Sequence, residues 1–445
     1  MKFHIRTYGC QMNKRDSESV SSLLQRHGWT HSVEDDADLV LVNTCSVRGK
    51  AEDKALGKLG LMVASKRTHE NRIVGVIGCM VQRRKDQLFE KVPGLDFAVG
   101  THRLSAIPAI VDCVQAGQGP VLDADEEGGF SEELCGHEEG GISAFVNILF
   151  GCDRRCTYCI VPSVRGGEWS RPAAGIISEV TSLAAAGVKE VTLLGQSVTL
   201  YGRKNSVWPD DHHSEAGFKD PLPRLLEAVN NIDGISRVRF TSGHPEGCSD
   251  ELVRAMAGLP AVCEHLHLPF QSGSDRILKA MRRGYTSDGY SDAVARLRSA
   301  MPGIALTTDV IVGFPGETQE DFQKTSSFMR EIGFDNAFIF KYSPRPGTPA
   351  ADWDDDVPDD EKQRRNHVLL ADQDVTGLAI NEKLIGHDVE VLVEGESLRN
   401  SDRWSGRSRT NKIVVFPPRE GVERGNVVTV RIERAMAQTI YGTVV

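Results

Sequence analysis

Short apolar runs alternate with polar stretches of helical spacing over the first 118 or so residues. The apolar runs are Phe3–Tyr8, Asp38–Asn43, Ile73–Ile77 and Phe97–Val99, and Ser17–Arg26 and Ala51–Lys66 carry the helical spacing. Strand–helix alternation predicts an α/β domain with an open, mostly parallel sheet covered by helices. The rhythm returns from 141 to about 350, with Ala144–Phe150, Glu190–Leu194, Arg237–Thr241, His265–Leu268, Ile304–Val312 and Asn336–Tyr342 as strands. Six parallel strands with crossover helices predict a partial or complete (β/α) barrel. A helix over Asp359–Gly377 then leads into short strands at Asp388–Val393, Asn411–Phe416, Val427–Ile432 and Thr439–Val445, which predict a small all-β barrel. The expected domains are therefore 1–118, 141–378 and 379–445.

Composition is that of a soluble globular chain, with 40% hydrophobic and 26% charged residues among 445. No apolar run approaches the ~20 residues that cross a bilayer, and the charged start Met1–Arg6 lacks the apolar block of a secretory signal. A cytoplasmic protein without membrane contact is expected. The net charge of −10 argues against a surface that attracts nucleic acid everywhere, though not against a local basic footprint. Asp123–Glu139 holds eight carboxylates and no Lys or Arg, and Asp352–Glu361 is nearly as acidic. Both read as solvated linkers, and 212–219 as a polar surface excursion.

Ten cysteines in a cytosolic chain are not explained by disulfides. Cys152-Asp-Arg-Arg-Cys156-Thr-Tyr-Cys159 places three thiols within eight residues, directly after an apolar strand. Structural zinc asks for four ligands, usually in two pairs, and no second pair or neighbouring histidine follows. Three cysteines suit instead a four-iron cluster that leaves one iron open. The CxxxCxxC spacing, with an aromatic before the last cysteine, resembles the radical-SAM superfamily motif. That resemblance implies that the open iron binds the amino and carboxylate groups of S-adenosylmethionine, whose reductive cleavage gives a carbon-centred radical. It also implies a grip on the cofactor from the carboxyl ends of the barrel strands. Gln196 follows the second strand, Gln271 and Ser272 follow the fourth, and Asp309 lies in the fifth. By that resemblance Gln196 stands in the place of the amine-binding loop and Gln271 and Ser272 could reach the ribose, with an ordinary loop hydrogen bond the alternative for each. Glu168 and Arg171 are candidates for the cofactor's amine and carboxylate, with surface ion pairs the equal alternative.

Cys10, Cys45 and Cys79 each end an apolar run, in FHIRTYGC, LVLVNTC and IVGVIGC. Carboxyl ends of neighbouring parallel strands face one crevice, so three distant cysteines can converge there. Three ordinary buried cysteines are the alternative. The strand-end positions and the flanking Gly9 and Gly78, which allow close backbone approach, favour a second cluster. Cys113, Cys135, Cys248 and Cys263 show no such pattern.

Together, TYGCQMNKRDSE (7–18), NTCSVRGKAEDK (43–54), GCMVQR (78–83), the cysteine stretch 150–172, LLGQSVTLYG (193–202), HLPFQSGS (267–274), IVGFPGET (311–318) and YSPRPGTPAA (342–351) resemble the radical-SAM methylthiotransferases. The GCQMN form points to the branch that acts on tRNA. Departures from the family pattern fall at Ser197, Thr199 and Gly243. The resemblance covers nearly the whole chain. It implies two [4Fe-4S] clusters, at Cys10/Cys45/Cys79 and Cys152/Cys156/Cys159, with S-adenosylmethionine as methyl donor and radical source. It also implies an electron donor such as a flavodoxin or ferredoxin, and a sulfur source. The implied reaction places a methylthio group on carbon 2 of isopentenyl-adenosine in the tRNA anticodon stem-loop. Alternatives are a ribosomal-protein aspartate, threonylcarbamoyl-adenosine in tRNA, or a non-catalytic iron–sulfur RNA-binding redox sensor.

Arg399 to Lys412 carries five Lys/Arg against one Asp. Arg399, Arg403, Arg407, Arg409 and Lys412, with Trp404 for stacking, form the candidate RNA-binding strip. This stretch resembles a TRAM domain, and Trp404 in the barrel core is the alternative.

Overall fold

The computed structural model describes residues 1–46, 49–125, 131–209 and 214–445. Residues 47–48 of the second amino-terminal motif, 126–130 of the acidic run and 212–213 of the polar excursion lie outside the described residues. The chain forms two compact units. One comprises Met1–Glu139, Phe150–Arg155 and Cys159–Trp169, and the other Gly140–Leu149, Cys156–Tyr158 and Ser170–Val445.

The first unit is built on a six-stranded, all-parallel sheet. Its strands are β1 (Lys2–Thr7), β2 (Thr30–His31), β3 (Leu39–Thr44), β4 (Ile73–Gly78), β5 (Phe97–Val99) and β6 (Val121–Asp123), in the spatial order β2-β1-β3-β4-β5-β6. Helices α1 (Gln11–Arg26), α2 (Gly49–Ala64), α3 (Cys79–Arg84), α4 (Gln87–Lys91) and α5 (Ile107–Gln115) connect the strands, and α6 (Val161–Arg165) belongs to the same unit. Successive strand residues point to opposite faces. Val40, Val42, Val74 and Val76 therefore enter one core, and Leu39, Leu41, Ile73 and Ile77 the other. Covered on both faces, β3 and β4 are buried along their whole length, which is why they are apolar until β3 ends in Asn43 and Thr44, whose side chains are hydrogen-bonded. The edge strands β2 and β6, two and three residues long, give no such signal. Past the undescribed segment, the acidic run departs from the solvated linker expected of it. The fully buried Arg15 of α1 donates to the carbonyls of Gly136 at 2.8 Å and Leu134 at 3.3 Å, which straps this stretch to the domain.

The second unit begins with β7 (Ser143–Asn147), and the chain passes between the units at the short strands β8 (Leu149–Phe150) and β9 (Trp169–Ser170). Strands β10 (Glu190–Leu194), β11 (Arg237–Phe240), β12 (His265–His267), β13 (Ala305–Val312) and β14 (Asn336–Lys341) match the expected positions. They form two parallel sheets, β11-β10-β7 and β12-β13-β14, joined by a parallel bridge between Val238 and Val262. No pairing joins β7 to β14 among the described residues, so the barrel is partial. Its helices are α7 (Ala173–Ala185), α8 (Pro221–Asn230), α9 (Asp250–Gly258), α10 (Asp275–Ala280), α11 (Ser287–Ala300) and α12 (Gln319–Ile332). Helix α13 (Asp359–Glu382) leads to a closed barrel of β15 (Asp388–Ser397), β16 (Asn400–Ser408), β17 (Ile413–Phe416), β18 (Val427–Ala435) and β19 (Thr439–Val444). The α/β class with a terminal β-barrel is thus borne out, while β16 occupies what the polar pattern left as a loop. Among the described residues, no helix is long and apolar enough to cross a membrane.

Candidate cysteine centres and cofactor site

Adjacent strands β1, β3 and β4 each run into a cysteine. Cys10 caps the N-terminus of α1, Cys45 follows β3, and Cys79 opens α3. Two amides hold this junction. Asn13 Nδ2 donates to Asn43 Oδ1 and to the Thr44 carbonyl, both at 3.1 Å, while Asn43 Nδ2 donates to the Asn13 carbonyl and to Ser17 Oγ, both at 2.9 Å. Asn13 Oδ1 also accepts from the Cys10 backbone N–H at 3.3 Å and from its thiol at 3.4 Å. Approach is too close for side chains at the glycines. A Cβ on Gly9 would stand 2.8 Å from Cys45 Cβ, and one on Gly78, whose φ is +97°, would stand 2.7 Å from the Thr44 carbonyl oxygen.

The thiols are polarised unequally. A hydrogen bond from Cys45, with the field of Arg165 adding to it, holds Cys10 at about 5 against the cost of its burial. Burial pushes Cys79 up, and Arg165 pulls it part of the way back. A thiolate is the ligand form, and a helix N-terminus favours it. Ser46 Oγ, next to Cys45, is buried with no hydrogen-bond partner. Three thiols at one sheet edge, glycine clearance and an unused hydroxyl fit a cysteine-held inorganic cluster with a donor left for its sulfur. Among the described residues, no group of three or more His, Cys, Asp and Glu is arranged to hold a metal ion. The other four cysteines lie outside this arrangement: Cys248 and Cys263 are buried in the second unit, Cys113 is exposed and Cys135 half-buried.

The second cysteine loop is shaped by glycine. Gly151 has φ +66° and a Cβ there would lie 2.0 Å from the Gly167 carbonyl oxygen, while Cys152 N–H donates to the Gly166 carbonyl at 3.1 Å. In the second unit, Arg283 Nη1 donates to Cys156 Sγ and to the Tyr158 hydroxyl, each at 3.4 Å, and the guanidinium lies over the Tyr285 ring. Burial opposes the Arg283 charge, but Tyr158, Tyr285 and Cys156 outweigh it. The sequence carried no signal for Arg283 or Arg165, because nothing in the spacing of either ties it to a cysteine.

The cofactor candidates divide. Gln196 Oε1, Ser197 Oγ and Asn147 Oδ1 are buried without hydrogen-bond partners at the carboxyl ends of β10 and β7. Unused polar atoms at these strand ends fit the amino-acid moiety of S-adenosylmethionine. Gln271 takes φ +70°, its N–H donating to the Asp309 carbonyl and its carbonyl accepting from Ile311 N–H. Asp309 itself lies 3.5 Å from His267 Nε2. Glu168 is half-buried, with its N–H on Asp153 Oδ1 at 3.1 Å. Two candidates are engaged within the protein. The Arg171 guanidinium is buried and donates to Glu179 and to the Asn147 carbonyl, both at 2.7 Å, which spends it on α7 and β7. Ser272 Oγ is occupied by Thr325 Oγ1 and by the N–H of Ser274, both at 3.2 Å, and so faces α12. Thr199, a departure from the family pattern, exchanges hydrogen bonds with the backbone of His244 at 2.8 and 3.1 Å. At Gly243 a Cβ would stand 2.9 Å from the His267 carbonyl oxygen, which leaves little room for a side chain.

The basic strip also divides. Arg399 and Arg403 are exposed, and Trp404 packs partly buried on the barrel core. Arg407 bonds the Asn411 carbonyl and faces Glu394 at 3.5 Å. Arg409 holds Glu264 at 2.8 Å, and Lys412 holds Asp335 at 2.6 Å. Arg237 and Arg239 return bonds to the carbonyls of Arg407, Ser408 and Arg409 at 2.6–2.7 Å. Arg409 and Lys412 thus fasten the β-barrel to the amino ends of the parallel strands.

Three family models match the chain: Uncharacterized protein family UPF0004 over residues 2–100, the Radical SAM superfamily over 146–329 and the TRAM domain over 382–445. Among solved structures, the radical S-adenosylmethionine methyltransferase TsrM from Kitasatospora setae superposes with a TM-score of 0.59 at 15% identity, covering 79% of this chain and 77% of that one. The cysteine loop on a partial barrel makes the chain a radical-SAM protein and, with its relatives, a transferase. A protein of Akkermansia muciniphila named tRNA-2-methylthio-N(6)-dimethylallyladenosine synthase is 43% identical over 99% of this chain and 98% of its own length. One of the same name from Moorella thermoacetica is 44% identical over 100% and 98%. The chain belongs to the tRNA-2-methylthio-N(6)-dimethylallyladenosine synthase family.

Proposed function

We propose that this protein places a methylthio group on carbon 2 of an N6-isopentenylated adenosine beside the anticodon of tRNA. The observation that carries the reading is one chain with two three-cysteine sets, one at adjacent strand ends and one in a CxxxCxxC loop, together with a TRAM barrel. Cys10, Cys45 and Cys79 hold one [4Fe-4S] cluster, and Cys152, Cys156 and Cys159 hold the other with S-adenosylmethionine. Bound there and reduced, cofactor and cluster supply a carbon radical, which removal of hydrogen from an unactivated aromatic C–H requires, since acid–base catalysis finds no usable proton.

The protein's own groups orient these partners. Gln196 Oε1 and Asn147 Oδ1 would accept from the cofactor amine, while the Ser197 hydroxyl would donate to its carboxylate. Asp309 and Gln271 border the ribose side, and Glu168 stands near the cysteine loop. Arg283 steadies the Cys156 thiolate. Residues 1–118 carry the first cluster, 141–378 the radical site and 379–445 the RNA contact. Arg399 and Arg403 meet RNA phosphates, Arg407 lies beside them, and the partly buried Trp404 is the strip's aromatic for stacking. The protein works in the cytoplasm with a reducing partner such as a flavodoxin or ferredoxin and a source of sulfur. Mass spectrometry of tRNA nucleosides from cells lacking the gene, with and without complementation, tests the reading. Loss and restoration of methylthio-isopentenyl-adenosine is the expected result. Unchanged nucleosides, with the protein expressed and no redundant enzyme, would exclude tRNA and turn attention to ribosomal protein.

A further inference from the structure

Asp16 and Arg165 form an ion pair of 2.7 Å in which both side chains are almost wholly buried. The two residues are 149 positions apart in sequence, on α1 and at the end of α6. Around them lie thiols. Ile160 and Val164, flanking and within α6, pack against Cys79. Arg165 directly follows Val164, and its charge acts on both the Cys79 and Cys10 thiols.

Burying two charges is a weak way to join a helix to a domain, since apolar residues of equal volume generally do as well or better. Val164 and Ile160 already supply apolar packing at this junction. A charged pair beside two thiols makes sense where charge itself matters. We propose that Asp16 and Arg165 are a positioning pair that sets the electrostatic field at the Cys10/Cys45/Cys79 ligand set, and through it the reduction potential of the centre held there. Outer-sphere donors and charges are the protein's main levers on such centres. A cation near the ligands stabilises the more negative, reduced state and raises the potential. The neighbouring carboxylate tempers that cation and orients its fork. This inference rests on the reading that these three cysteines hold a cluster.

The test is a potentiometric titration followed by electron paramagnetic resonance on anaerobic holoprotein, with the first centre's signal assigned in the Cys152/Cys156/Cys159→Ala protein. Arg165→Gln removes the cation and is expected to shift the first centre's potential negative. Asp16→Asn frees the cation and is expected to shift it positive, while Arg165→Lys stays close to wild type. A purely structural pair would weaken the fold in both variants and move neither potential in this opposed way. Unchanged potentials, or shifts of the same sign, overturn the proposal. If Arg165→Gln fails to retain iron, Asp16→Asn against Arg165→Lys still decides, because a positive shift in the first alone supports the field and equal values refute it. Wild-type protein holding about four irons, all lost in the Cys152/Cys156/Cys159→Ala protein, removes instead the reading beneath it.

Discussion

Arg283 Nη1 lies 3.4 Å from Cys156 Sγ, and the same guanidinium reaches the Tyr158 hydroxyl within the CxxxCxxC loop. It is held from behind, where Nη2 donates to the Pro269 carbonyl at 3.2 Å and Nε to the Tyr285 hydroxyl at 3.2 Å. One side chain therefore ties the middle cysteine to the loop that precedes Gln271. Arg283→Gln is expected to lower reductive cleavage of S-adenosylmethionine about 10–100-fold, the range for loss of an outer-sphere partner. Iron at the first cysteine set should be untouched. Arg283→Lys keeps the charge but loses the planar fork, so it should recover only part of the rate. Anaerobic turnover assays beside iron counts check this, and full activity in Arg283→Gln would dismiss the role.

Arg403 and Arg409 stand six positions apart in one basic strip, and they do different work. Arg403 is exposed on β16, whereas Arg409 is bonded to Glu264 and to the Val262 carbonyl at 2.7 Å. Arg403→Ala should leave stability within about 0.5 kcal/mol. It should also weaken tRNA binding and reduce the salt slope by about one. Arg409→Ala should cost about 1–2 kcal/mol, because the partly exposed Glu264 loses a charged donor. Its salt slope should stay at the wild-type value. Denaturation midpoints and binding at several salt concentrations separate the two, and a common effect on both would show that the strip acts as one surface.

That division marks where sequence reading stops. β3 and β4 were legible because burial on both faces favours apolar residues in a run, which β3 breaks only at its hydrogen-bonded end, Asn43 and Thr44. β16 was not, since Asn400–Ser408 is polar and its pairing with β15 and β17 supplies what its composition lacks. Gly406 there reads as a breaker, yet a Cβ would meet the Leu392 carbonyl oxygen at 2.2 Å, so glycine is what lets the barrel close. Helix α1 begins at Gln11, six residues before the expected Ser17, because its cap is Cys10, and a thiol is not a recognised capping signal. The six cysteines could be picked out by position in the chain. Arg165 and Arg283 are brought to them only by tertiary packing, which no local pattern encodes.

Gly57 and Gly78 test how much of the first centre depends on clearance. Gly78 has φ +97°, and a Cβ there would lie 2.5 Å from Asn43 Oδ1 and 2.7 Å from the Thr44 carbonyl oxygen. Gly78→Ala should cost about 2 kcal/mol or more and strip the iron of the first set while sparing the second. Gly57 lies inside α2 with nothing within 4 Å of an added Cβ. Gly57→Ala should stabilise by about 0.5–1 kcal/mol with iron unchanged. Iron content and urea midpoints give both answers, and a tolerated Gly78→Ala would mean the strand end is looser than its contacts imply.

His265 supplies a pH dependence with a definite sign. Its ring is buried where β12 meets the β-barrel, with Nε2 3.2 Å from Thr307 Oγ1. Burial drives its pKa well below the ordinary value, and Arg239, His267, Arg407 and Lys412 push the same way. The native ring thus stays neutral where the unfolded ring, with a pKa of about 6.5, takes up a proton. Above that pH the group has no effect on stability. As pH falls below it, the unfolded state binds the extra proton and stability drops, by at most about 1.4 kcal/mol per pH unit from this one site. His265→Gln keeps a polar atom for Thr307 and removes the titration. Urea midpoints of anaerobic holoprotein between pH 5.5 and 8 should fall less steeply for the variant, with the curves converging in slope above pH 7. Parallel curves across the whole range would mean that the ring protonates in place, and that the junction of β12 with the barrel opens to water.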